Sequence, residues 1–296
     1  MYEVKSRWPH QDFIKVEWNL GKRCNLDCTY CPTEIHDNFS PHTDIAILEK
    51  AVNKLSNLGK PIRISLTGGE PCVHPKIENL LKHMRSRVEW INITTNATRT
   101  ASWYVSQSSV DHWVFSLHYE DDDWKKRVNK IVNIQNINPH LKMQINVMAH
   151  HEYIGRVKES VDIFEHNNVP YVIRRIRWTE RHDYFDDMKY NLDDLEWLLS
   201  KTATAKPNVI IDEDKYYHAN DIIKEKLNHF KGWSCAAGVE SLMINWDGEV
   251  HRATCRVGGS LGNIYHGTFK QPKEWTICTR KWCTCAADIG ITKFST

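Results

Sequence analysis

The sequence predicts an α/β protein in which six strand–helix units form a partial (β/α) barrel, followed by a small cysteine-rich domain. Short runs rich in β-branched residues alternate with stretches of helical length whose apolar residues recur every three or four positions. Such alternation is typical of parallel strands joined by right-handed crossovers. The pattern changes near residue 190, and most of the remaining cysteines come after residue 232. These observations give the fold class before any motif is considered.

The strands and helices of the first two thirds follow each other regularly. Strands are predicted at residues 14–19, 62–67, 91–95, 113–117, 143–148 and 169–176. Helices are predicted between them at residues 43–58, 75–87, 100–106, 123–134 and 152–167. Thr43 and Asp44 resemble a helix N-cap, and Gly59 resembles a C-cap. Six units in about 190 residues fit an open or partial barrel better than a complete eight-fold one.

The last third has a different organisation. Residues 192–201 have helical periodicity, whereas residues 203–232 are polar and mixed. Residues 241–251 are predicted to form a hairpin whose turn is supplied by Asp247-Gly248. We therefore expect a barrel domain with a linker helix at 1–232 and a cysteine-rich domain at 233–296.

Composition excludes several classes of function. Lys and Arg total 39 and Asp and Glu 37, so a net charge of +2 argues against a polyanionic partner, and no nucleic-acid-binding signature is present. No apolar run approaches 18 residues and no secretory signal is present, so we expect no membrane span and a cytoplasmic location. Nine cysteines in a chain without an export signal are better interpreted as metal ligands or catalytic groups than as disulfides.

Three cysteines follow the first predicted strand at close spacing. Cys24, Cys28 and Cys31 form a CxxxCxxC pattern. Three thiolates on one loop can hold three irons of a [4Fe–4S] cluster and leave the fourth iron without a protein ligand. Catalytic metal sites keep such an open position. Two alternatives stay open on spacing alone: zinc with a distant fourth ligand, and three small apolar residues on one helix face.

Other distinctive residues also fall where predicted strands end. Gly68-Gly69-Glu70 follows the second strand, Asn96 the third and His118 the fourth. In a parallel barrel, the chemistry is placed at this carboxyl edge. Two adjacent glycines let the backbone approach a ligand with no side chain in the way.

Taken in order, these motifs resemble those of the radical S-adenosylmethionine (SAM) superfamily. Tyr30 stands at the aromatic position of CxxxCx-aromatic-C, Gly68-Gly69-Glu70-Pro71 matches a GGEP motif, and Thr94-Thr95-Asn96 matches a TTN motif. The resemblance implies a partial TIM-type radical SAM barrel. It also implies SAM-binding roles for Gly68, Gly69, Glu70, Asn96 and Ser116, with Tyr30 beside the cofactor.

The resemblance further implies the chemistry. The open iron would chelate SAM, an electron would cleave it, and the 5′-deoxyadenosyl radical would abstract hydrogen from a substrate C–H bond. A reductase such as flavodoxin or ferredoxin would supply the electron. The protein's own task is to exclude water and position the substrate bond.

Several further residues have two interpretations each. His118 could contact substrate or act as an acid or base, or be a hydrogen-bonded structural residue. Arg174, Arg175 and Arg177 lie on the sixth strand and just beyond it; one of them, expected to be Arg175, could bind the SAM carboxylate, although solvated or salt-bridged arginines are equally consistent.

Two more groups are interpreted as structural. Cys72 has no partner at ligand spacing and is expected to be a packed thiol. His150 and His151, after the fifth strand, are interpreted as polar loop residues.

The C-terminal cysteines resemble the opening of the SPASM and twitch domains, which hold auxiliary clusters in many radical SAM enzymes. The resemblance rests on Cys235 and Cys255, which flank the hairpin, and on Leu261-Gly262-Asn263-Ile264 after it. The chain has five cysteines here instead of seven, which suits one four-cysteine cluster and a twitch-like domain. Its ligands would be four of five residues: Cys235, Cys255, Cys278, Cys283 and Cys285. Cys278 is expected to be the spare thiol, and both a three-ligand cluster and a four-thiolate zinc site stay open.

Three functions follow from these patterns. The leading hypothesis is an oxidoreductase-like radical SAM enzyme acting on a small-molecule or sugar-like metabolite, with the auxiliary cluster accepting an electron. The second is maturation of a ribosomally made peptide by thioether formation, crosslinking or epimerisation. Only 23 residues precede Cys24, which disfavours it, because such maturases commonly carry an N-terminal recognition domain. An iron–sulfur electron-transfer or zinc-binding module is the non-enzymatic alternative.

Overall fold

The central feature of the fold is a mixed sheet built around six parallel strands. The computed structural model describes residues 3–6, 12–176, 189–201, 203–212 and 215–295. A short strand, β1 (Glu3–Ser6), comes before the sheet in sequence. The parallel strands are β2 (Ile14–Asn19), β3 (Ile62–Thr67), β4 (Trp90–Thr95), β5 (His112–Leu117), β6 (Met143–Ala149) and β7 (Tyr171–Arg175).

Helices connect these strands and cover one face of the sheet. They are α1 (Ile45–Ser56), α2 (Ile77–Arg85), α3 (Ala101–Ser106), α4 (Trp124–Ile137) and α5 (Ile154–His166), followed by α6 (Leu192–Ser200) and α7 (Ala219–Lys224). The predicted N-cap is confirmed at Asp44, which accepts a hydrogen bond from the Ala46 N–H at 2.8 Å. Helix α1 ends at a C-cap on Asn57, and Gly59 follows with a φ of +80°. The six predicted strand–helix units are confirmed, with boundaries differing by a few residues.

The C-terminal hairpin extends the same sheet. The remaining elements are β8 (Val209–Ile211), β9 (Lys215–Tyr217), β10 (Ser234–Cys235), β11 (Ser241–Ile244), β12 (Glu249–His251), β13 (Ser260–Asn263), β14 (Thr276–Ile277), α8 (Ala286–Ile289) and β15 (Lys293–Phe294). The strand order is β13-β12-β11-β2-β3-β4-β5-β6-β7. Strand β11 runs parallel to β2, with Leu242 opposite Val16. The predicted hairpin is confirmed, but it belongs to the barrel sheet.

The sheet is open, in agreement with the predicted partial barrel. Within the described residues, β7 and β13 are its edge strands. Along β3, β4 and β6, buried residues alternate with half-buried ones. The buried set, which includes Val16, Ile64 and Ile93, packs with the helices in the main core. The opposite face carries polar residues such as Ser65 and Asn92, whose side chains are hydrogen-bonded at 3.1 Å.

A second sheet brings the two ends of the described chain together. Its order is β14-β10-β15-β1-β8-β9, and all its pairs are antiparallel. Val4 of β1 lies opposite Lys293 of β15. These strands are two to four residues long, which is too short for a periodic pattern to predict them. None of the helices in the described ranges combines the length and apolar character needed to cross a bilayer.

Candidate functional site

The loop after β2 carries the first three cysteines at the carboxyl edge of the sheet. Backbone hydrogen bonds shape this loop: the Cys24 N–H donates to the Asp37 carbonyl at 2.7 Å, and the Cys31 N–H donates to the Cys28 carbonyl at 3.0 Å. The three thiols are free and half-buried. The fold therefore presents them together on one short segment.

The three thiols interact electrostatically with one another. Burial, with contributions from Glu120, Cys31 and Cys24, raises the pKa of Cys28 to about 12. Burial likewise raises the pKa of Cys31 to about 12, with contributions from Cys24 and Glu120. The pKa of Cys24 is also raised, mainly by burial. Any metal that binds here must displace these protons, so binding would release them.

The donor set fits an iron–sulfur cluster. Among the described residues, no three His, Cys, Asp or Glu side chains converge on the position of a single metal ion. In a [4Fe–4S] cluster each thiolate binds a different iron, so its ligands need not converge on one point. Cys24, Cys28 and Cys31 would hold three of the four irons.

The two glycines after β3 lie against the cysteine loop. The Gly69 N–H donates to the Gly21 carbonyl at 2.8 Å. A Cβ on Gly69 would lie 2.2 Å from the Lys22 carbonyl oxygen, and one on Gly68 would lie 2.5 Å from the Gly21 carbonyl oxygen. Sequence reasoning explained these glycines by close approach to a ligand. The structure gives a different reason, because the loop backbone itself occupies the space that a side chain would need.

Glu70 joins the ends of the second and third parallel strands. Its side chain is buried; Oε2 accepts the Asn96 N–H at 2.6 Å, and Oε1 accepts the Thr95 hydroxyl at 2.8 Å and the Cys72 N–H at 2.9 Å. Burial raises the pKa of Glu70, and these hydrogen bonds oppose that rise. Cys72 is buried in the main core, which confirms it as a packed thiol.

Asn96 continues the connection from the third strand end to the cysteine loop. Its Nδ2 donates to Asn25 Oδ1 at 2.8 Å and lies 3.7 Å from the Cys24 sulfur. Its Oδ1 accepts the Thr98 hydroxyl at 2.8 Å. Asn25 was not singled out from sequence, although it lies inside the cysteine motif.

Tyr30 contacts His118 at the end of β5. The Tyr30 hydroxyl lies 2.5 Å from His118 Nδ1, and the rings stack with centroids 5.9 Å apart. Burial, reinforced by Arg127, lowers the pKa of His118 to about 4, so the ring is neutral at pH 7. The sequence left two roles open for His118, and this contact favours the structural one.

Glu120 and His150 are the residues at this edge that sequence reasoning missed. Glu120 accepts two hydrogen bonds from Thr29, between the second and third cysteines: Oε2 from the N–H at 2.9 Å and Oε1 from the hydroxyl at 3.0 Å. His150 is 3% exposed, and its Nε2 lies 3.4 Å from Glu120 Oε1. The interpretation of His150 as a polar loop residue was wrong, because it is buried against the cysteine loop.

A sequence signal for Glu120 did exist. Side chains alternate along an extended chain, so Ser116, His118 and Glu120 share one side if the extended course of β5 continues past its end. Ser116 is half-buried and lies opposite Asn146 of β6 in the register. The predicted site serine and the missed glutamate therefore belong to one alternating series.

The arginines of β7 lie on opposite faces of the sheet. Arg174 contacts Asn146 Oδ1 through Nε at 3.4 Å and Asn220 Oδ1 through Nη1 at 3.1 Å. It therefore shares the polar face with Asn146. Arg175 instead lines a small cavity between β7, α6 and α7 with Leu198, on the helix side. Its placement does not support contact with SAM, and Arg177 lies outside the described residues.

The C-terminal cysteines surround a second cavity. Its lining includes Cys235, Cys255, Cys278 and Cys283. Cys285 is not among the lining residues, and Cys278 is, so the cavity favours Cys285 as the spare thiol rather than the expected Cys278.

Two buried charges flank this second cavity. Lys293 is 2% exposed, and its ammonium donates to the carbonyls of Asp288 at 2.7 Å, Ile291 at 2.8 Å and Ile289 at 3.1 Å. Burial, with a contribution from the Asp288 carboxylate, raises the pKa of Cys255 to about 12. Four thiols beside a buried ammonium fit a group held by thiolates, whose negative charge the ammonium would stabilise.

The two cysteine sets lie beyond opposite ends of the parallel strands, one at the carboxyl ends and the other at the amino ends. Cys24 follows the carboxyl end of β2, whereas β11, which follows Cys235, begins beside the amino end of β2 with Ser241 opposite Lys15. Strand β2 has six residues. With a rise of about 3.3 Å per residue, the first and last residues of β2 lie roughly 17 Å apart.

Comparison with known proteins finds a family match in the first half of the chain. Residues 18–140 match the family model described as Radical SAM superfamily. The matched residues contain the first three cysteines, the glycine motif and His118.

Two curated relatives match part of the chain. The GTP 3′,8-cyclase of Petrotoga mobilis is 33% identical over 90 residues, which are 29% of this chain and 27% of that protein. The 7-carboxy-7-deazaguanine synthase of Haemophilus influenzae is 39% identical over 77 residues, which are 26% of this chain and 34% of that protein. The chain thus matches about a third or less of the length of these relatives.

Two solved structures share the fold over most of the chain. Native anSMEcpe with bound AdoMet has a TM-score of 0.59 and 16% identity, covering 88% of this chain and 79% of that one. SuiB of Streptococcus suis bound to S-adenosylmethionine has a TM-score of 0.55 and 16% identity, covering 86% of this chain and 64% of that one. At these identities the likeness concerns the fold alone.

Proposed function

We propose that this protein is a radical SAM enzyme that oxidises or otherwise tailors a small-molecule or sugar-like substrate. The carrying observation is the three free, half-buried thiols of Cys24, Cys28 and Cys31 on one short loop, within the residues that match the radical SAM superfamily model. When bound, a [4Fe–4S] cluster and SAM supply a 5′-deoxyadenosyl radical that abstracts hydrogen from a C–H bond.

The protein's own residues would position SAM at the carboxyl edge. We propose that Gly68, Gly69 and Glu70 hold its amino group, and that Asn96 and Ser116 contact it from the next strands. The support is proximity: the Glu70 N–H donates to the Arg23 carbonyl at 2.9 Å, and Asn96 lies beside Cys24. With both Glu70 carboxylate oxygens already accepting hydrogen bonds, its side chain would act chiefly by fixing Asn96.

A second cluster in a twitch-like domain is part of the proposal. Its ligands would be Cys235, Cys255, Cys278 and Cys283, which line one cavity beside Lys293. A substrate on the polar face of the sheet would lie between the two edges. It would lose a hydrogen atom to the 5′-deoxyadenosyl radical at the carboxyl ends of the strands. Loss of a proton to solvent and of an electron to the second cluster would then complete a two-electron oxidation.

The names of the curated relatives favour a small substrate. GTP 3′,8-cyclase and 7-carboxy-7-deazaguanine synthase are both named for small molecules. We propose a cytoplasmic location and a one-electron donor such as flavodoxin or ferredoxin, because the free cysteines suit a reducing compartment.

Anaerobic reconstitution tests this function. Protein loaded with iron and sulfide is reduced with dithionite in the presence of SAM, and 5′-deoxyadenosine is quantified. We expect 5′-deoxyadenosine without added substrate and about eight iron atoms per chain for two clusters of four irons. Four irons and one zinc would instead place zinc at the second site, and the absence of 5′-deoxyadenosine would contradict the enzyme assignment.

A further inference from the structure

We propose that Glu120 is a positioning residue for the first cluster, which fixes the loop between Cys28 and Cys31 and lowers the reduction potential of the bound cluster. The inference rests on the proposed function, since it concerns the cluster that the three cysteines would hold. It adds a residue that lies outside the cysteine, glycine and asparagine motifs.

The first step is the contact between Glu120 and Thr29. Thr29 lies between two of the three cluster cysteines, and both its N–H and its hydroxyl donate to the Glu120 carboxylate, at 2.9 and 3.0 Å. The partners are 91 residues apart in sequence. A two-point contact to a carboxylate defines both the position and the orientation of this part of the loop.

The second step is the environment of the neighbouring tyrosine. Tyr30 contacts His118 at 2.5 Å, and its ring lies 5.8 Å from that of His150. His150 also lies 3.4 Å from Glu120. The dipeptide between the second and third cysteines is therefore held by residues that follow β5 and β6.

The third step is the rigidity of the segment that carries Glu120. Arg127 donates to the His118 carbonyl at 2.8 Å and to Asp121 Oδ1 at 2.8 Å. Arg156 donates to the Tyr119 carbonyl at 2.8 Å and to the Asp121 carbonyl at 3.0 Å. Glu120 thus lies on backbone fixed by two arginines, as a positioning residue requires.

Glu120 also places a negative charge beside the cysteine loop. The Glu120 side chain is 15% exposed, so solvent screens its charge only weakly. Its carboxylate accepts the Thr29 N–H at 2.9 Å, so a negative charge lies beside the backbone that joins Cys28 to Cys31. An electron added to a cluster on these cysteines meets repulsion from this charge. The carboxylate therefore lowers the reduction potential, as outer residues around metal ligands commonly do.

The test is a redox titration of reconstituted protein followed by electron paramagnetic resonance. The signal that changes on addition of SAM is assigned to the first cluster. We expect Glu120→Gln, which removes the charge and keeps the shape, to shift the midpoint of that signal to a more positive potential. Glu159→Gln is the matched control, because Glu159 is a half-exposed carboxylate on α5 paired with Lys125, and its midpoint should equal that of the wild type.

The outcomes are separable. An unchanged or more negative midpoint in Glu120→Gln overturns the inference while leaving the proposed function intact. If Glu120→Gln retains less than half the wild-type iron, the iron content of Glu120→Asp is measured. Iron near the wild-type value in Glu120→Asp supports a carboxylate that anchors the loop, and iron as low as in Glu120→Gln overturns the inference. A wild-type protein that binds no iron, or shows no SAM-responsive signal, contradicts the proposed function itself.

Discussion

The Nδ2 of Asn96 lies 3.7 Å from the sulfur of Cys24, although 72 residues of chain separate the two. The contact joins the end of β4 to the cysteine loop that follows β2. Glu70, from the end of β3, accepts the Asn96 N–H at 2.6 Å and completes the connection. Three successive strand ends are thereby held in one network around the first cysteine.

Removal of the Asn96 side chain should weaken this network. Asn96→Ala removes the hydrogen bonds that the Asn96 side chain makes with Asn25 and Thr98, so we expect the free energy of unfolding to fall by about 1–3 kcal/mol. Urea unfolding followed by circular dichroism measures the change. Asn133→Ala, at an exposed position of α4, is the control and should change stability by less than about 0.5 kcal/mol. Equal effects of the two substitutions would contradict the network.

The glycine pair gives a steric prediction. A Cβ on Gly69 would lie 2.2 Å from the Lys22 carbonyl oxygen, which is backbone and cannot rotate away. We expect Gly69→Ala to cost about 1–3 kcal/mol or more and to reduce iron retention, because the cysteine loop must move. Gly155→Ala meets nothing within 4 Å and lies in α5, so it should be neutral or stabilising by up to about 1 kcal/mol. A Gly69→Ala protein as stable and iron-rich as wild type would contradict the packing explanation.

The sequence predicted the parallel part of the fold well because each strand there is five to seven residues long and is followed by a periodic helix. The same reasoning could not predict that β11 pairs with β2. That pairing joins residues more than 200 positions apart, and a hairpin of four- and three-residue strands carries no information about its neighbour.

The sequence alone brings together site residues that share a compact motif, but it does not bring together residues that meet only through the fold. Cys24, Cys28 and Cys31 share one short segment, so their proximity follows from spacing alone. Glu120 and His150 reach that segment only because β5 and β6 end at the same edge. Cys278 and Cys285 could not be ranked from spacing, since the choice depends on which thiol faces the cavity.

The choice of ligands at the second cavity can be tested by iron analysis. Because Cys278 lines the cavity and Cys285 does not, Cys278→Ser should lower iron from about eight toward about four per chain. Cys285→Ser should leave iron near the wild-type value. The opposite pattern would restore Cys278 as the spare thiol.

Acid should destabilise the protein partly through His112 on the polar face. Burial, reinforced by Lys142, lowers the pKa of His112 to about 4, so between its ordinary pKa of 6.5 and 4 the unfolded chain binds a proton that the folded chain does not. The stability that neutral His112 contributes is therefore fully present above pH 6.5 and is lost as the pH falls toward 4. From pH 7 to pH 5 the loss is about 1–2 kcal/mol.

His112→Gln isolates that contribution. Urea unfolding at pH 7 and pH 5 should show a smaller pH-dependent loss of stability in the variant than in wild type, by the same 1–2 kcal/mol. Identical losses in both proteins would mean that His112 takes up its proton equally in the folded and unfolded states.

The central claim is that three cysteines hold a cluster that cleaves SAM, and the most direct measurement is 5′-deoxyadenosine formed by reduced, iron-loaded protein. We expect 5′-deoxyadenosine from wild type and from Cys72→Ala, whose thiol is packed in the core, and none from Cys28→Ala. Cleavage retained in Cys28→Ala, or absent from iron-loaded wild type, would contradict it.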